Sequence, residues 1–412
     1  MKKIRMLDLF AGCGGLTDGF MQTNLYNDIA AVEWKKTPVQ TLQNRLEKKW
    51  GKKDAKECVL HFDIQREEEL YNGWENDPEF GSGKGLDYYV NQAKGIDIII
   101  GGPPCQAYSI AGRVRDEHGM ENDYRNYLFE HYLSIVDRYQ PDLFIFENVP
   151  GLLSAAPHGK KVSEIITKEF AKKGYIITKN LPQAIVNTAN YNVPQNRKRI
   201  ILVGLHEKSF KENPLNILDD FYQNILPAHR GKKILTVRDA IGKMPVLRPF
   251  WDKEHHSRKV SHSTPQCEIT WHVPRYSNTR DMETFQTLAE DVESGRFLYD
   301  SKKIAELYEE KIGSKSPIHR YHVLEPDVPS TTIIAHLHKD GNRFIHYDSK
   351  QARTITPREA ALLQSFDIDF EFIGSRGNVY EMIGNAVPPQ LAKALALSVV
   401  DLLRKYKPEK YA

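Results

Sequence analysis

The chain has 412 residues, 40% of them hydrophobic, which is enough for a sizeable core and about two to three domains. Its formal charge of +3 is only a weak indication of a nucleic-acid partner. Four cysteines, at positions 13, 58, 105 and 267, have neither metal-site spacing nor a secretory disulfide pattern, so we expect a cytoplasmic protein. We also expect no signal peptide, no membrane-spanning stretch and no membrane partner.

The first predicted strand is the apolar run 4–10, which leads through a Gly-rich turn at 11–15 into a helix. This order is typical of a nucleotide-binding unit at the start of a doubly wound α/β sheet. Gly12, Gly14 and Gly15 do not give the Gly-x-Gly-x-x-Gly spacing of dinucleotide-binding proteins. The turn therefore argues against a nicotinamide-dependent oxidoreductase.

Acidic residues end the next two predicted strands. Glu33 closes one strand and is followed by Trp34, and Asp63 closes the next and is followed by Ile64. An acid at a strand's end can hold ribose hydroxyls, and a neighbouring aromatic ring can stack on adenine. These strand ends suit an adenosine without a pyrophosphate; the alternative is an ordinary sheet whose acids cap helices. We assign no use to the polar insertion 67–85.

A lone cysteine lies on a turn with two prolines, directly after the apolar strand 96–101. Prolines fix φ and glycines allow sharp bends, so Cys105 would project from a rigid turn at the active edge of the sheet. The alternative is a small buried hydrophobic residue. The segment 107–120 would act as a lid in which Arg113 and Arg115 meet phosphates, unless it is a surface loop that does not move.

Six motifs follow one another along the whole chain: Asp8–Gly15, Pro103–Gln106, Glu147–Val149, Gln195–Arg199, Thr356–Phe366 and Gly384–Pro389. One of them alone would be weak, but their combined order and spacing resemble bacterial DNA cytosine-5 methyltransferases. Two departures are small, since family members usually carry Phe at the position of Tyr108 and more often an aliphatic residue at that of Cys13. We expect Cys13 and Cys58 to be structural.

The resemblance implies an α/β fold, namely a Rossmann-like sheet of the S-adenosylmethionine-dependent methyltransferases with a smaller inserted domain. The catalytic, cofactor-binding domain would comprise residues 1–205 plus 352–412. Residues 206–351 would form the target-recognition domain that binds DNA.

Three segments of the inserted region resemble parts of the family's recognition domain. The segment 236–242 resembles its opening, and 329–334 resembles the segment that approaches the flipped-out base. Polar side chains at 336–343 could read base edges in the major groove. Histidine pairs in this region lack the cysteines or carboxylates of a zinc site, so we expect no metal.

The chemistry of cytosine methylation gives these residue types their expected roles. Carbon 5 of cytosine becomes nucleophilic when a thiolate adds to carbon 6, and the resemblance assigns that thiolate to Cys105. Glu147, held protonated by burial, would meet ring nitrogen 3; its alternative role is a helix cap. Arg197 and Arg199 share one face of an extended segment and would clamp the base's carbonyl oxygen and a nearby phosphate or acid, unless they are solvated.

The cofactor implied by the resemblance is S-adenosyl-L-methionine, with S-adenosyl-L-homocysteine as product. Its binding residues would lie at the strand ends and in the last motif. They are Phe10, Gly12, Gly14, Glu33, Trp34, Asp63, Ile64, Pro104, Asn385 and Ala386.

We therefore expect an enzyme that methylates carbon 5 of a cytosine flipped out of a short, specific duplex DNA sequence. It would act in a restriction-modification system or alone. Its partners would be double-stranded DNA and a cognate restriction endonuclease, and we expect a monomer. The alternatives are a transfer RNA cytosine-5 methyltransferase and a catalytically silent DNA-binding scaffold.

Overall fold

Residues 3–103, 128–156, 161–313, 321–339 and 341–411 are described in a computed structural model of the chain. The described residues divide into two compact units. The first is drawn from Met1–Asn192, Arg197–Lys232 and Ala386–Ala412, and the second from Val193–Asn196 and Lys233–Asn385.

The strands all lie in the first unit. They are β1 (Ile4–Leu9), β2 (Tyr26–Glu33), β3 (Val59–His61), β4 (Trp74–Asp77), β5 (Gly81–Gly83), β6 (Ile98–Gly101), β7 (Leu143–Asn148), β8 (Tyr175–Ile177), β9 (Ile185–Asn187) and β10 (Lys198–His206). Within the described residues, eight strands form one sheet in the order β3-β2-β1-β6-β7-β10-β8, with β9 paired to β10. The neighbouring strands β3, β2, β1, β6 and β7 are parallel to one another. Strand β10 is antiparallel to β7, β8 and β9.

Helices follow most strands of the first unit and make up much of the second. They are α1 (Gly15–Met21), α2 (Lys36–Trp50), α3 (Ala55–Cys58), α4 (Glu67–Asn72), α5 (Gly85–Ala93), α6 (Leu128–Tyr139), α7 (Val162–Lys172), α8 (Pro214–Asp220), α9 (Leu226–Ala228), α10 (Val237–Ile241), α11 (Lys253–Ser257), α12 (Thr279–Glu293), α13 (Ser301–Ile312), α14 (Pro357–Leu363), α15 (Arg376–Asn385), α16 (Pro389–Tyr406) and α17 (Pro408–Tyr411). A π-helical turn covers Phe221–Ile225, and short 3₁₀ helices cover Pro150–Leu153, Leu181–Ala184, Thr188–Tyr191, Glu207–Ser209, Ala335–His338, Gly341–Arg343 and Ser349–Gln351.

The central strands are apolar because they are buried on both faces of the sheet. Met6, Leu7 and Leu9 of β1 have no exposed surface, and neither has the run Ile98–Ile100 of β6. Continuous apolar runs of this kind are typical of parallel strands in α/β proteins. Strand β1 pairs with β2 and β6, so the carboxyl ends of three strands lie along one edge. The predicted Rossmann-like α/β fold is confirmed.

Helix α16 packs closely on helix α1. A Cβ atom on Gly19 would lie 2.4 Å from the Cβ of Ala392 and 2.4 Å from the carbonyl oxygen of Pro389. The hydroxyl of Tyr26 on β2 donates to the carbonyl of Ala396 at 2.7 Å. The last helices of the chain are therefore part of the core that carries the first strand and helix.

We expect the substitution Gly19→Ala to lower the free energy of unfolding by about 1–3 kcal/mol, because the added methyl group has no space between the two helices. Urea unfolding measures the change. Gly377→Ala is the control, since a Cβ there would meet only atoms at 3.8 Å or more within an ordinary helix, and it should gain up to about 1 kcal/mol. Equal effects of the two substitutions would contradict the close packing.

Charged side chains join the last residues of the chain to the amino-terminal edge of the sheet. Asp97 accepts hydrogen bonds from the backbone and guanidinium of Arg5 and pairs with Lys410 at 2.7 Å. Lys410 also contacts Asp142, which accepts from the hydroxyl of Tyr411. The two ends of the chain are therefore neighbours.

The second unit is built around a buried ion pair and a small apolar core. The core includes Phe285, Leu288 and Ile345. The guanidinium of Arg353 makes two hydrogen bonds of 2.7 Å to the carboxylate of Glu359, and both side chains are buried. Glu359 also accepts from the backbone of its own N-cap residue, which completes a capping box at the start of α14.

The compact units divide the chain at residues other than those of the predicted domains. Residues 206–232 pack in the first unit, where the hydroxyl of Tyr222 bonds to the backbone of Val203 on β10. Residues 352–385 pack in the second unit, because Arg353 and Glu359 belong to its buried network. The functional division into catalytic and recognition domains stays a prediction.

One helical stretch of the described residues, Arg376–Tyr406, is long and apolar enough by composition to cross a membrane. This finding corrects the expectation that the chain has no stretch of membrane-spanning length. Within its most apolar window 72% is buried inside the protein, and its part in α16 is the helix that packs on α1. Burial against the protein itself explains the apolar composition.

Candidate active site

The Gly-rich turn after β1 is tightly bent and open on one side. Strand β1 ends at Leu9, one residue earlier than predicted, because Phe10 adopts a left-handed backbone with φ of 58°. Gly12 and Gly14 also have positive φ, and a Cβ on Gly14 would lie 2.4 Å from Leu42. A Cβ on Gly12 would meet no atom within 4 Å. The turn therefore offers bare backbone that a ligand can approach closely.

Glu33 reaches from the end of β2 to this turn. Its Oε2 accepts from the backbone N–H of Gly12 at 2.9 Å, and its Oε1 accepts from that of Lys35 at 2.8 Å. Burial raises the pKa of Glu33, while these N–H donors act in the opposite direction. Trp34, the next residue, leaves 50% of its side chain exposed. The structure thus brings together a Gly-rich turn, a held carboxylate and an accessible indole.

Asp63 and Ile64 follow β3 at the same edge of the sheet. Their strand pairs with β2 so that His61 is the partner of Glu33. The carboxylate of Asp63 accepts from the backbone of Gln65 at 3.0 Å, and Ile64 is buried. The side chain of Asp63 therefore caps the turn that begins at its own strand's end.

The last two predicted cofactor residues are consecutive in sequence but are assigned to different compact units. Asn385 ends helix α15 in the second unit, and Ala386 belongs to the first. A Cβ on Gly15 would lie 3.3 Å from that of Ala386 and 2.2 Å from the carbonyl of Val387. The structure therefore brings Ala386 to the start of α1.

Glu147 and the two motif arginines meet at the ends of β7 and β10. Nε of Arg199 lies 2.9 Å from Oε1 of Glu147, and the two side chains are only 13% and 12% exposed. Arg197, also buried, is close enough to Glu147 and Arg199 to interact with both charges. The structure therefore brings these three side chains together, and their roles toward the base stay predictions.

Electrostatics gives this cluster a net positive charge. Burial lowers the pKa of Arg197, and the neighbouring charge of Arg199 lowers it further. Burial lowers the pKa of Arg199 as well, while Glu147 acts in the opposite direction. A guanidinium remains protonated in proteins, so Arg197 and Arg199 place two cations beside the single carboxyl group of Glu147. An anion or an electron-rich oxygen is favoured beside them.

The turn after β6 lies against Glu147. A Cβ on Gly102 would be 2.7 Å from Oε2 of Glu147, so a larger residue at this position would displace the carboxyl group of Glu147. The side-chain amide of Asn148 donates to the carbonyl of Pro103 at 3.2 Å. Cys105 and Pro104 follow directly in sequence and lie outside the described residues, as do Tyr108, Arg113 and Arg115.

The sequence predicts no role for Gly102 or Asn148, although Asn148 lies within the motif Glu147–Val149 and Gly102 directly precedes the motif Pro103–Gln106. Two features of the sequence could have indicated them: Asn148 ends an apolar strand, and Gly102 is a second glycine directly before two prolines. Only the pairing of β6 with β7 shows that the turn after β6 lies beside Glu147 and Asn148.

Two of the three thiols in the described part of the chain are buried, whereas Cys267 is exposed. Cys13 and Cys58 are buried, and burial raises the pKa of Cys58 to about 12 and raises that of Cys13 as well. Thiols in such surroundings are inert near neutral pH. No group of three His, Cys, Asp or Glu side chains that could hold a metal is found among the described residues.

We expect Trp34→Ala to weaken binding of S-adenosyl-L-homocysteine by roughly tenfold, because one stacked base on an aromatic ring contributes about 1–3 kcal/mol. The free energy of unfolding should change by less than about 0.5 kcal/mol, since the ring is half exposed. Calorimetric titration measures the first and urea unfolding the second. Trp251→Ala, with a ring 45% exposed in the second unit, is the control; equal affinities of the two variants would contradict a stacking role.

Comparisons with known proteins agree with this arrangement. The family model for C-5 cytosine-specific DNA methylases matches residues 4–401. The chain is 32% identical to the type II methyltransferase M.Bpa9945I of Bacillus paralicheniformis over 97% of this chain and 99% of the relative. It is 30% identical to the type II methyltransferase M.XorII of Xanthomonas oryzae over 98% and 86% of the two chains.

A solved structure also resembles the whole chain. It is that of a candidate DNA modification methyltransferase encoded within an E. coli prophage, with a TM-score of 0.59, 23% identity and coverage of 98% of this chain and 100% of the other. At this level of identity the likeness shows the fold alone. The family match over nearly the whole length is what decides the assignment: the chain belongs to the C-5 cytosine-specific DNA methylase family, the enzymes that methylate cytosine in DNA.

Proposed function

We propose that this chain transfers a methyl group from S-adenosyl-L-methionine to carbon 5 of a cytosine rotated out of a short, specific duplex DNA sequence. One observation carries the proposal. The Glu147–Arg199 pair, 2.9 Å apart, lies against Gly102, three residues before Cys105. A proton donor, two cations and a thiol are the groups that cytosine activation requires.

In this proposal Cys105 acts as the nucleophile. Its thiolate sulfur bonds to carbon 6 of the ring, and the electron pair of the 5,6 double bond becomes available at carbon 5. The positive charge of the arginine pair favours the thiolate form of Cys105. After methyl transfer a base removes the proton from carbon 5, the double bond forms again, and the sulfur leaves.

Glu147 and the arginines hold the base in this proposal. Glu147, protonated, donates a hydrogen bond to ring nitrogen 3, where charge accumulates as the sulfur adds. Arg199 fixes the carboxyl group of Glu147, and Arg197 and Arg199 meet the base's carbonyl oxygen and a nearby phosphate. These roles use only groups that converge at the ends of neighbouring strands.

The strand ends of the first unit fit the cofactor. Open backbone at Gly12, the carboxylate of Glu33 and the half-exposed ring of Trp34 suit an adenosine, together with the other residues named for it. S-adenosyl-L-methionine, when bound, supplies the electrophilic methyl group and leaves as S-adenosyl-L-homocysteine. Those other residues are Phe10, Gly14, Asp63, Ile64, Pro104, Asn385 and Ala386.

We extend the proposal to the binding partners and the cellular location of the protein. Residues 206–351 read the DNA sequence, with 329–334 nearest to the flipped base. Relatives named as type II methyltransferases support a cognate restriction endonuclease that acts on the same site. The enzyme works in the cytoplasm as a monomer on duplex DNA.

The test is transfer of labelled methyl groups to mixed-sequence duplex DNA, with transfer RNA and a Cys105→Ala variant in parallel. We expect label in DNA that depends on Cys105, and bisulfite sequencing should place it on one cytosine of a short recurring site. Label only in RNA would overturn the choice of substrate. No label in either, with S-adenosyl-L-homocysteine still bound, would indicate a silent scaffold instead of an enzyme.

A further inference from the structure

The polar insertion after β3 folds into an ordered element of the first unit. Helix α4 is followed by the hairpin of β4 and β5, and Arg66 holds the two parts together. Its guanidinium lies 2.6 Å from the carboxylate of Asp77 and forms a second ion pair with Glu69. It also lies 4.8 Å above the ring of Phe62. The hairpin, defined as Trp74–Gly83, is therefore fixed to the end of β3.

Aromatic contacts direct the tip of this hairpin onto His61. Trp74 stacks on Phe62 with ring centroids 3.9 Å apart, and its indole N–H donates to the carbonyl of Phe80. The ring of Phe80 then meets Phe62 at 5.2 Å and the imidazole of His61 at 5.0 Å, both edge-on. Three contacts therefore determine where the side chain of Phe80 lies.

His61 stands at the edge where the adenosine is expected. It is the last residue of β3 and the register partner of Glu33. Burial lowers the pKa of His61, although a backbone hydrogen bond at Trp34 acts in the opposite direction, so the imidazole is neutral at pH 7. His61 and Phe80 are both only partly buried. Two uncharged rings thus remain accessible beside the strand end that carries Trp34.

We infer that His61 and Phe80 form an additional wall of the adenosine end of the cofactor site, and that the hairpin is the element that positions them. This inference rests on the proposed function. An uncharged imidazole and a phenyl ring present flat apolar surface, which suits the faces and edges of an adenine. Arg66 does not contact the ligand; it is a positioning residue that acts through the hairpin.

The test is calorimetric titration of His61→Ala and Phe80→Ala with two ligands, S-adenosyl-L-homocysteine and 5′-methylthioadenosine, which lacks the amino-acid portion. We expect each variant to bind both ligands roughly tenfold more weakly, since one aromatic contact with a base contributes about that much. Arg66→Gln should weaken both ligands in the same direction. Glu75→Gln is the matched control, because Glu75 is exposed on the same hairpin.

The outcomes separate this inference from the proposal beneath it. Weakening by the same factor for both ligands, with Glu75→Gln unchanged, supports a wall at the adenosine end. Wild-type affinity in both alanine variants overturns the inference and leaves the proposed function intact. A folded wild-type protein that binds neither ligand overturns both. Thermal unfolding of each variant identifies misfolding, and Phe80→Leu then replaces an alanine variant that does not fold.

Discussion

The substitution Glu147→Gln is expected to lower the rate of methyl transfer by roughly 10²- to 10⁴-fold, the range that a positioned acid or base contributes. An amide keeps the shape of the side chain but cannot release a proton to the base. It also replaces the carboxyl group whose Oε1 lies 2.9 Å from Nε of Arg199 in a largely buried pair. Single-turnover transfer of labelled methyl groups to the substrate duplex measures the loss.

Binding of S-adenosyl-L-homocysteine separates a chemical effect from a folding defect. We expect the Glu147→Gln variant to bind this product with the affinity of the wild type, because the Gly-rich turn and Glu33 are untouched. Glu164→Gln, at an exposed position of helix α7, is the control and should transfer methyl groups at the normal rate. A Glu147→Gln variant that keeps normal single-turnover kinetics would remove Glu147 from the reaction.

The second large effect is expected in the second unit, where Glu359→Gln should reduce the free energy of unfolding by about 3–5 kcal/mol. The substitution leaves the buried guanidinium of Arg353 without its carboxylate partner. It also weakens the capping box, because the carboxylate accepts from the backbone N–H of Thr356 at 2.7 Å. Urea unfolding at pH 7, followed by a probe in the second unit, measures the change.

The same variant should remove part of the acid sensitivity of the protein. Burial alone would raise the pKa of Glu359, but the charge of Arg353 outweighs burial and holds the pKa at about 2. A glutamate of the unfolded chain titrates near ~4.3. The stabilisation is therefore complete above that pH and is lost as the pH falls towards 2, a difference of about 3 kcal/mol.

Unfolding measured between pH 5 and 3 tests the direction of this pH dependence of stability. Wild-type stability should fall more steeply than that of Glu359→Gln over this interval. Glu306→Gln, on an exposed face of helix α13, is the control and should follow the wild type. Parallel curves for the wild type and Glu359→Gln would mean that the ion pair does not carry the acid dependence.

Local patterns in the sequence were sufficient to predict the sheet edge on which the candidate site lies. Apolar runs that end in Gly-rich or acidic residues predict parallel strands, because such strands are buried on both faces and present their carboxyl ends together. Glu33, Asp63 and Glu147 were placed at those ends from sequence alone. The order of six motifs identified the family, and residues 4–401 match it.

The tertiary structure was needed wherever contacts join distant parts of the chain. Phe10 leaves the strand because the turn needs a positive φ there, which an apolar pattern does not reveal. Gly102 lies against the carboxyl group of Glu147, forty-five positions later in the chain. No local periodicity specifies such a pair, since it depends on the register between two strands.

The motif Gln195–Arg199 is also split between the two compact units, which its sequence alone does not reveal. Gln195 is buried in the second unit, where its side chain bonds to the backbone of Ile333 and to Gln364. Arg197 and Arg199 belong to the first unit and face Glu147. The sequence by itself determined the strands, the motifs and the family, because these depend on neighbouring residues. The tertiary structure decided which motif residues contact one another, because those contacts depend on long-range packing. For the same reason only the structure shows that the insertion 67–85 forms a hairpin whose Phe80 packs on His61.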